Sequence, residues 1–151
     1  MLQRVGRWLR AAGYDTRIAN PGTSDRELLQ LALEEGRWLI TRDRKLTEHR
    51  HAVDAVMLLR GNTVDQCIRE LRSRLAIDLD YQPFSRCLRC NSPLEPARAE
   101  HLHEMPIRAR ALSASARHCP HCQQLYWDGS HVRRMRERLR TWARGSGEAV
   151  S

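Results

Sequence analysis

Residues 38–59 read WLITRDRKLTEHRHAVDAVMLL. Two short apolar runs, Trp38-Leu39-Ile40-Thr41 and Ala55 to Leu59, bracket a polar middle. A continuous apolar run, rather than an alternating one, suits a buried strand of a parallel sheet. Between them, a short helix is expected from Lys45 to about Arg50. Helical signals lie on both sides. Ser24-Asp25-Arg26-Glu27 is a capping box, with Ser at the N-cap and Glu three residues on. The helix it opens runs to about Glu35, with Leu28, Leu29, Leu31, Ala32 and Leu33 inside, and Gly36 stops it. Thr63 and Gln66 form a second capping pair, and Val64, Cys67, Ile68, Leu71 and Leu75 mark the inner face of a helix.

The N-terminal residues 1–12 carry Leu2, Val5, Leu9 and Ala12 at helical spacing, with Arg4, Arg7 and Arg10 on another side. Gly13 stands where a helix C-cap belongs. Tyr14 to Ala19 reads as a short strand and Asn20-Pro21-Gly22 as a turn. Strands thus alternate with helices through residue 77, which defines an α/β fold with a mostly parallel sheet.

The pattern changes after Asp80. Pro83, Pro93, Pro96, Pro106 and Pro120 are scattered through a stretch without helical periodicity. A boundary near Tyr81–Pro83 divides an α/β domain, 1–80, from a segment 83–144. Ser130 is placed to N-cap a last helix with an apolar stripe of Val132, Met135, Leu139 and Trp142. Its other faces carry Arg133, Arg134, Arg136, Arg138, Arg140 and Arg144. Residues 145–151, from Gly145, read as a flexible tail.

Cys87-Leu-Arg-Cys90 and Cys119-Pro-His-Cys122 are two C-x-x-C units separated by residues 91–118. Each lets two thiolates from one tight turn reach the same ion, and two such turns complete a tetrahedral Cys₄ shell for zinc. A closed shell leaves no open position for water, so one structural zinc is expected. Redox dithiols are the competing reading. Cys67, on an apolar helix face, reads as a small buried hydrophobe.

The formal charge of +8 comes from 26 Lys plus Arg against 18 Asp plus Glu, and Lys45 is the sole lysine. Arg grips phosphate through a planar fork, so nucleic acid is a candidate partner. A solvated Arg-rich surface is the plain alternative. No apolar run is long enough to span a membrane. The N-terminus reads as an amphipathic helix rather than a signal peptide, so a cytoplasmic location is expected.

Asp43 follows directly on the strand at Trp38–Thr41. Ligands of parallel α/β sheets bind beyond the carboxyl ends of the strands, where a carboxylate is placed to hold a divalent cation. Asp43 could equally cap the following helix or pair with Arg42 or Arg44. Asp25 and Glu27 suit the helix dipole in the first turn of their helix. Alternatively, Asp25 joins Asp43 around one Mg²⁺ or Mn²⁺, which needs only a few carboxylates. Clustered acids with such ions activate water against a phosphodiester.

These residues together resemble a known family. Val5-Gly6-Arg7-Trp8-Leu9-Arg10-Ala11-Ala12-Gly13-Tyr14-Asp15-Thr16 is similar to its opening segment. Ser24 to Leu29 and Leu39 to Arg44 are similar to its next two motifs. Pro83 to Asn91 is similar to its entry into a zinc ribbon, and Tyr126 to His131 with Arg134-Met135 to its exit. Over about residues 1–140 the chain resembles the Mut-seven C-terminal RNase domain family. That resemblance implies a PIN-like parallel sheet flanked by helices, followed by a zinc ribbon and a C-terminal helix. It implies a metal-dependent ribonuclease hydrolysing RNA phosphodiester bonds, with Asp43 and Asp25 as catalytic acids holding Mg²⁺ or Mn²⁺. Arg42, Arg44, Arg133 and Arg134 are the candidate nucleic-acid contacts.

Family members usually begin with a short apolar strand ending in an Asp, directly before the segment that begins here at Met1-Leu2. The expectation is that the natural start lies upstream, and the first acid with it. The alternative function is a non-catalytic RNA- or ribosome-binding module on a degenerate PIN-like scaffold. Some PIN-like nucleases also pair with an inhibitor protein, which adds a third class of partner.

Overall fold

The computed structural model describes residues 1–145. The chain is mixed α/β and forms two compact units. Unit one comprises Met1–Val5 and Ile18–Ala76. Unit two comprises Gly6–Arg17 and, among the described residues, 77–145. Apart from Gly145, the tail expected at 145–151 lies outside the described residues. Helix α1, Leu2–Ala11, begins in the first unit and continues in the second.

Unit one holds helix α2 (Asp25–Glu35), strand β1 (Leu39–Thr41), strand β2 (Val56–Leu58) and helix α3 (Val64–Leu75). The strands pair in parallel, Leu39 with Val56, Ile40 with Met57 and Thr41 with Leu58. The two apolar runs are therefore neighbours, as their composition suggests. The Ser24–Glu27 capping box is closed. Ser24 Oγ accepts from Glu27 N–H at 3.3 Å, and Glu27 Oε2 accepts from Ser24 N–H at 2.9 Å. Gly36 ends α2 in the left-handed region at φ 62°, where a side chain is disfavoured. In α3 the buried residues Val64, Cys67, Ile68 and Leu71 follow the i, i+3, i+4, i+7 spacing of one helix face.

Three expectations for unit one need adjustment. The strands are a residue or two shorter than the apolar runs. The helix expected at Lys45 to Arg50 is a 3₁₀ segment, Arg44–Glu48. Thr47 Oγ1 donates to the Arg44 carbonyl at 2.6 Å and closes a three-residue turn, and extended His49 ends it. The capping box at Thr63 is half made. Thr63 Oγ1 accepts from Gln66 N–H at 3.2 Å, but Gln66 Oε1 takes the N–H of Asn62, at 2.7 Å.

Unit two is built on a three-stranded antiparallel sheet: β3 (Glu95–Pro96), β4 (Arg117–His118) and β5 (Leu125–Tyr126), in that order. The stretch Tyr14 to Ala19 is not a strand. Its backbone donor at Thr16 goes to the Asn91 side chain at 2.9 Å, and Thr16 Oγ1 donates to the Tyr14 carbonyl at 3.1 Å. Side chains thus satisfy groups a strand neighbour would have taken. Residues 82–84 bind the end of α1: Gln82 N–H donates to Ala12 O at 3.0 Å and Phe84 N–H to Ala11 O at 2.8 Å. Gly13, at φ 102°, faces Gln82 so closely that a Cβ would lie 2.5 Å from its carbonyl oxygen. Only glycine fits there.

Between the two C-x-x-C turns, 3₁₀ segments Ala99–Glu104 and Ile107–Ser115 replace the irregular chain expected there. Met105, Ala116 and Leu125 form a small apolar core under them. Helix α4, Ser130–Ala143, starts one residue differently from expectation: Gly129 is the N-cap and Ser130 the first helical residue. Arg133 Nε instead donates to the Asp128 carbonyl at 2.9 Å. Val132 and Leu139 are buried, with Met135 and Trp142 half-buried on the same stripe.

Candidate metal centre and acidic site

The metal centre is assembled by two turns with the same backbone design. In the first, Asn91 N–H donates to Cys87 O at 2.9 Å; in the second, Gln123 N–H donates to Cys119 O at 3.0 Å. The residue after each second cysteine is left-handed, Asn91 at φ 73° and Gln123 at φ 63°. Asn adopts that conformation readily. Gln123 is held in it by its side chain, whose Nε2 donates to Pro120 O at 3.2 Å and whose Oε1 meets His118 Nε2 at 2.9 Å. Strand pairs β3–β4 and β4–β5 then tie the second turn into the sheet.

The four sulfurs of Cys87, Cys90, Cys119 and Cys122 lie within 4.8 Å of one another. Cys87 Sγ to Cys122 Sγ and Cys90 Sγ to Cys119 Sγ are each 3.4 Å. Those separations are far longer than the roughly 2.05 Å of a disulfide, and all five cysteines are free. Tetrahedral zinc with Zn–S bonds of about 2.3 Å needs sulfurs about 3.8 Å apart, so the cluster fits a metal ion such as zinc. His118 and His121 flank the cluster without joining the ligand group. His118 stacks on His101, ring centroids 3.7 Å apart and 8° from parallel.

The electrostatics of the bare cluster are those of four sulfurs competing for protons. Burial and its hydrogen bond to Cys87 push the Cys122 thiol up to about 12. Burial also raises Cys119. Cys90 is raised by burial but pulled further down by Ser92 and the neighbouring sulfurs, to about 6. A divalent cation among them removes the conflict, because it stabilises every thiolate at once.

Three supporting residues were not singled out from the sequence. The Tyr126 hydroxyl accepts from Leu88 N–H at 3.0 Å, which leaves its proton for Cys87 Sγ at 3.3 Å. Burial pushes the Tyr126 phenol up, so it stays a donor. Asn91 Oδ1 accepts from Thr16 N–H at 2.9 Å, while its Nδ2 donates to Asp15 Oδ1 at 2.6 Å. Arg10 is 6 % exposed and donates three hydrogen bonds. Its Nε meets Thr16 O at 2.8 Å, and its Nη1 meets Leu88 O at 3.0 Å and Arg89 O at 2.9 Å. Arg4 and Arg7, on the same helix, are exposed as expected. Only the position of Asn91, directly after a metal turn, carried a signal.

The acidic site belongs to unit one. Asp43 lies two residues beyond β1 and is exposed. Its Oδ1 accepts from Lys45 N–H at 2.9 Å, so it N-caps the 3₁₀ segment, and its own N–H donates to Thr41 Oγ1 at 3.0 Å. The second Asp43 oxygen is not used in that cap. Asp25 is the first residue of α2, half-buried in the turn opened by Ser24. Arg42 Nη2 donates to Asn62 Oδ1 at 3.0 Å, and Arg44 opens the 3₁₀ segment. Among the described residues, the four cysteines form the single group of three or more metal-ligating side chains close enough to share an ion.

The chain thus combines a parallel α/β unit, with an acid past its first strand, and a second unit whose four-cysteine cluster is consistent with a zinc ribbon. The model of the Mut7-C RNAse domain matches residues 1–139, and the chain belongs to that family. Neither a curated protein nor a solved structure gives a significant match.

Proposed function

We propose that this chain is a metal-dependent ribonuclease, with Asp43 as its principal metal-holding acid and Asp25 as a second. The observation that carries this reading is the place of Asp43 in a chain of an RNase domain family: at the carboxyl end of a parallel strand, with one carboxylate oxygen outside the cap. Such an acid holds Mg²⁺ or Mn²⁺ through a few contacts while the ion keeps its waters. The ion supplies an activated water and neutralises charge on the phosphate. Asp43 would anchor it, Asp25 would add negative charge, and Arg44 would draw phosphate towards this edge. Zinc, by contrast, is structural, because a Cys₄ shell is closed.

Single-stranded RNA and purified protein in Mn²⁺ provide the test. The wild type should cut, and Asp43→Ala should lower the rate by at least about 100-fold. Equal cutting by the variant would remove Asp43 from the reaction.

A second reading has its own support. Helix α4 carries five arginines from Arg133 to Arg140, with Arg144 at its C-cap, against one acid, Glu137, which suits a phosphate-binding helix. In that reading the chain binds RNA, free or ribosomal, without cutting it. RNA binding that survives EDTA with no cleavage in Mn²⁺ would favour it.

A further inference from the structure

Among the described residues, Arg10 is the single Arg, Lys, Asp or Glu that is buried. Its hydrogen bonds run to three backbone carbonyls, at Thr16, Leu88 and Arg89. Carbonyls satisfy its donors but do not cancel its charge. An uncompensated buried ion costs several kcal/mol, so a fold that keeps one needs an anionic partner. Leu88 and Arg89 are the two residues that Cys87 and Cys90 bracket in the chain, so the guanidinium sits on the backbone of the first cysteine turn. Four thiolates around Zn²⁺ carry a net charge of about −2. The first metal turn is also fastened to the chain after α1 through Asn91, which bonds Thr16 N–H and Asp15 Oδ1.

We propose that Arg10 is the buried charge partner of the metal–thiolate centre, and that metal binding is coupled through it to the docking of residues 10–16 on the first cysteine turn. Without metal the Cys87–Cys90 turn loses the ion that fixes it, the Leu88 and Arg89 carbonyls that hold Arg10 and the Asn91 side chain that holds Asp15 and Thr16 lose their fixed positions, and residues 10–16 separate from the turn. With metal bound, the guanidinium does two jobs at once: it fixes the Leu88 and Arg89 carbonyls and offsets the charge of the centre. A positioning role of this kind, on the atoms behind the ligands, ordinarily changes metal affinity by about 10–100-fold.

The proposal rests on metal at the four cysteines, and its test separates the two. Full-length protein is prepared with Zn²⁺ and, after chelation, without it, and amide hydrogen exchange is followed by mass spectrometry. Coupling predicts that Asn91, Tyr14 and Thr16 amides lose protection together on metal removal, by about tenfold or more. Loss at Asn91 with full protection kept at Tyr14 and Thr16 would overturn it. Arg10→Met adds an independent arm, read by competition with a chromophoric chelator. Zinc affinity should fall about tenfold or more, and Arg10→Lys should recover part of the loss. Unchanged zinc affinity, with metal-free and loaded forms destabilised equally, would make Arg10 a packing residue only. Should Arg10→Met fail to fold, the exchange experiment on the wild type still decides. Protein that takes up neither Zn²⁺ nor Co²⁺ would sink the metal reading itself.

Discussion

At the scale of single residues, the cysteines dominate. Their spacing made the ligand set legible, because C-x-x-C constrains two sulfurs to one turn whatever surrounds it. What supports them was not legible. Arg10 sits in a helical register that suggests exposure, alongside Arg4 and Arg7, and only the later chain at Leu88 and Arg89 explains its burial. Tyr126 is separated from Cys87 by most of the ribbon, and its hydrogen bond is likewise a product of folding. Cys122→Ser should weaken zinc binding by more than about 100-fold, the upper end for residues that merely support a ligand. Chelator competition reads this directly. Metal binding expels the proton that Cys122 otherwise holds up to about pH 12, so apparent affinity should fall as pH falls. Cys90 is already a thiolate at pH 7, being held near 6. Below that it also takes a proton, and the loss should steepen. A pH series of competition titrations checks both the sign and the break.

At the scale of elements, local chemistry and long-range pairing divide the outcome. Helices α2 and α3 were readable because caps and apolar spacing lie within a dozen residues of each other. Thr63→Ala at the start of α3 should cost about 1 kcal/mol, since the Gln66 N–H loses its acceptor. Chemical denaturation of the metal-loaded protein measures it. Glu27 shows the same logic in a titratable group: hydrogen bonds from the Ser24 side chain and backbone hold its carboxyl below the usual range. Its contribution is present above the ordinary carboxylate pKa and is lost as pH falls through the lowered one. Strand Tyr14 to Ala19 was misread because an apolar–polar stretch beside a turn looks the same whether its donors meet a strand or, as here, the Asn91 side chain. The 3₁₀ segments between the cysteine pairs have no strong periodicity, so nothing short of their packing around Met105 could reveal them.

At the scale of the whole molecule, charge and family set the reading. Membership of the Mut7-C RNAse domain family covers residues 1–139, and no described helix is long and apolar enough to cross a membrane. The +8 charge makes RNA binding salt-dependent in either functional reading. Not every arginine should matter equally. Arg133 is engaged with the Asp128 carbonyl and Arg42 with Asn62, whereas Arg134 is exposed on α4. Arg134→Ala should therefore weaken RNA binding across sequences and reduce the salt slope by about one. Fluorescence anisotropy over a salt series would show it, and an unchanged slope would move the interface elsewhere. The proposed division of labour between metals is the centre of the account: zinc holds the ribbon, and a second, exchangeable ion at Asp43 does the chemistry. RNA cleavage by zinc-loaded protein, measured as Mn²⁺ is added with zinc content followed in parallel, tests it most directly. The predicted result is cleavage that rises to saturation with Mn²⁺ while zinc stays at one per chain. Cleavage at full rate before any Mn²⁺ is added, or none at any concentration, would contradict it.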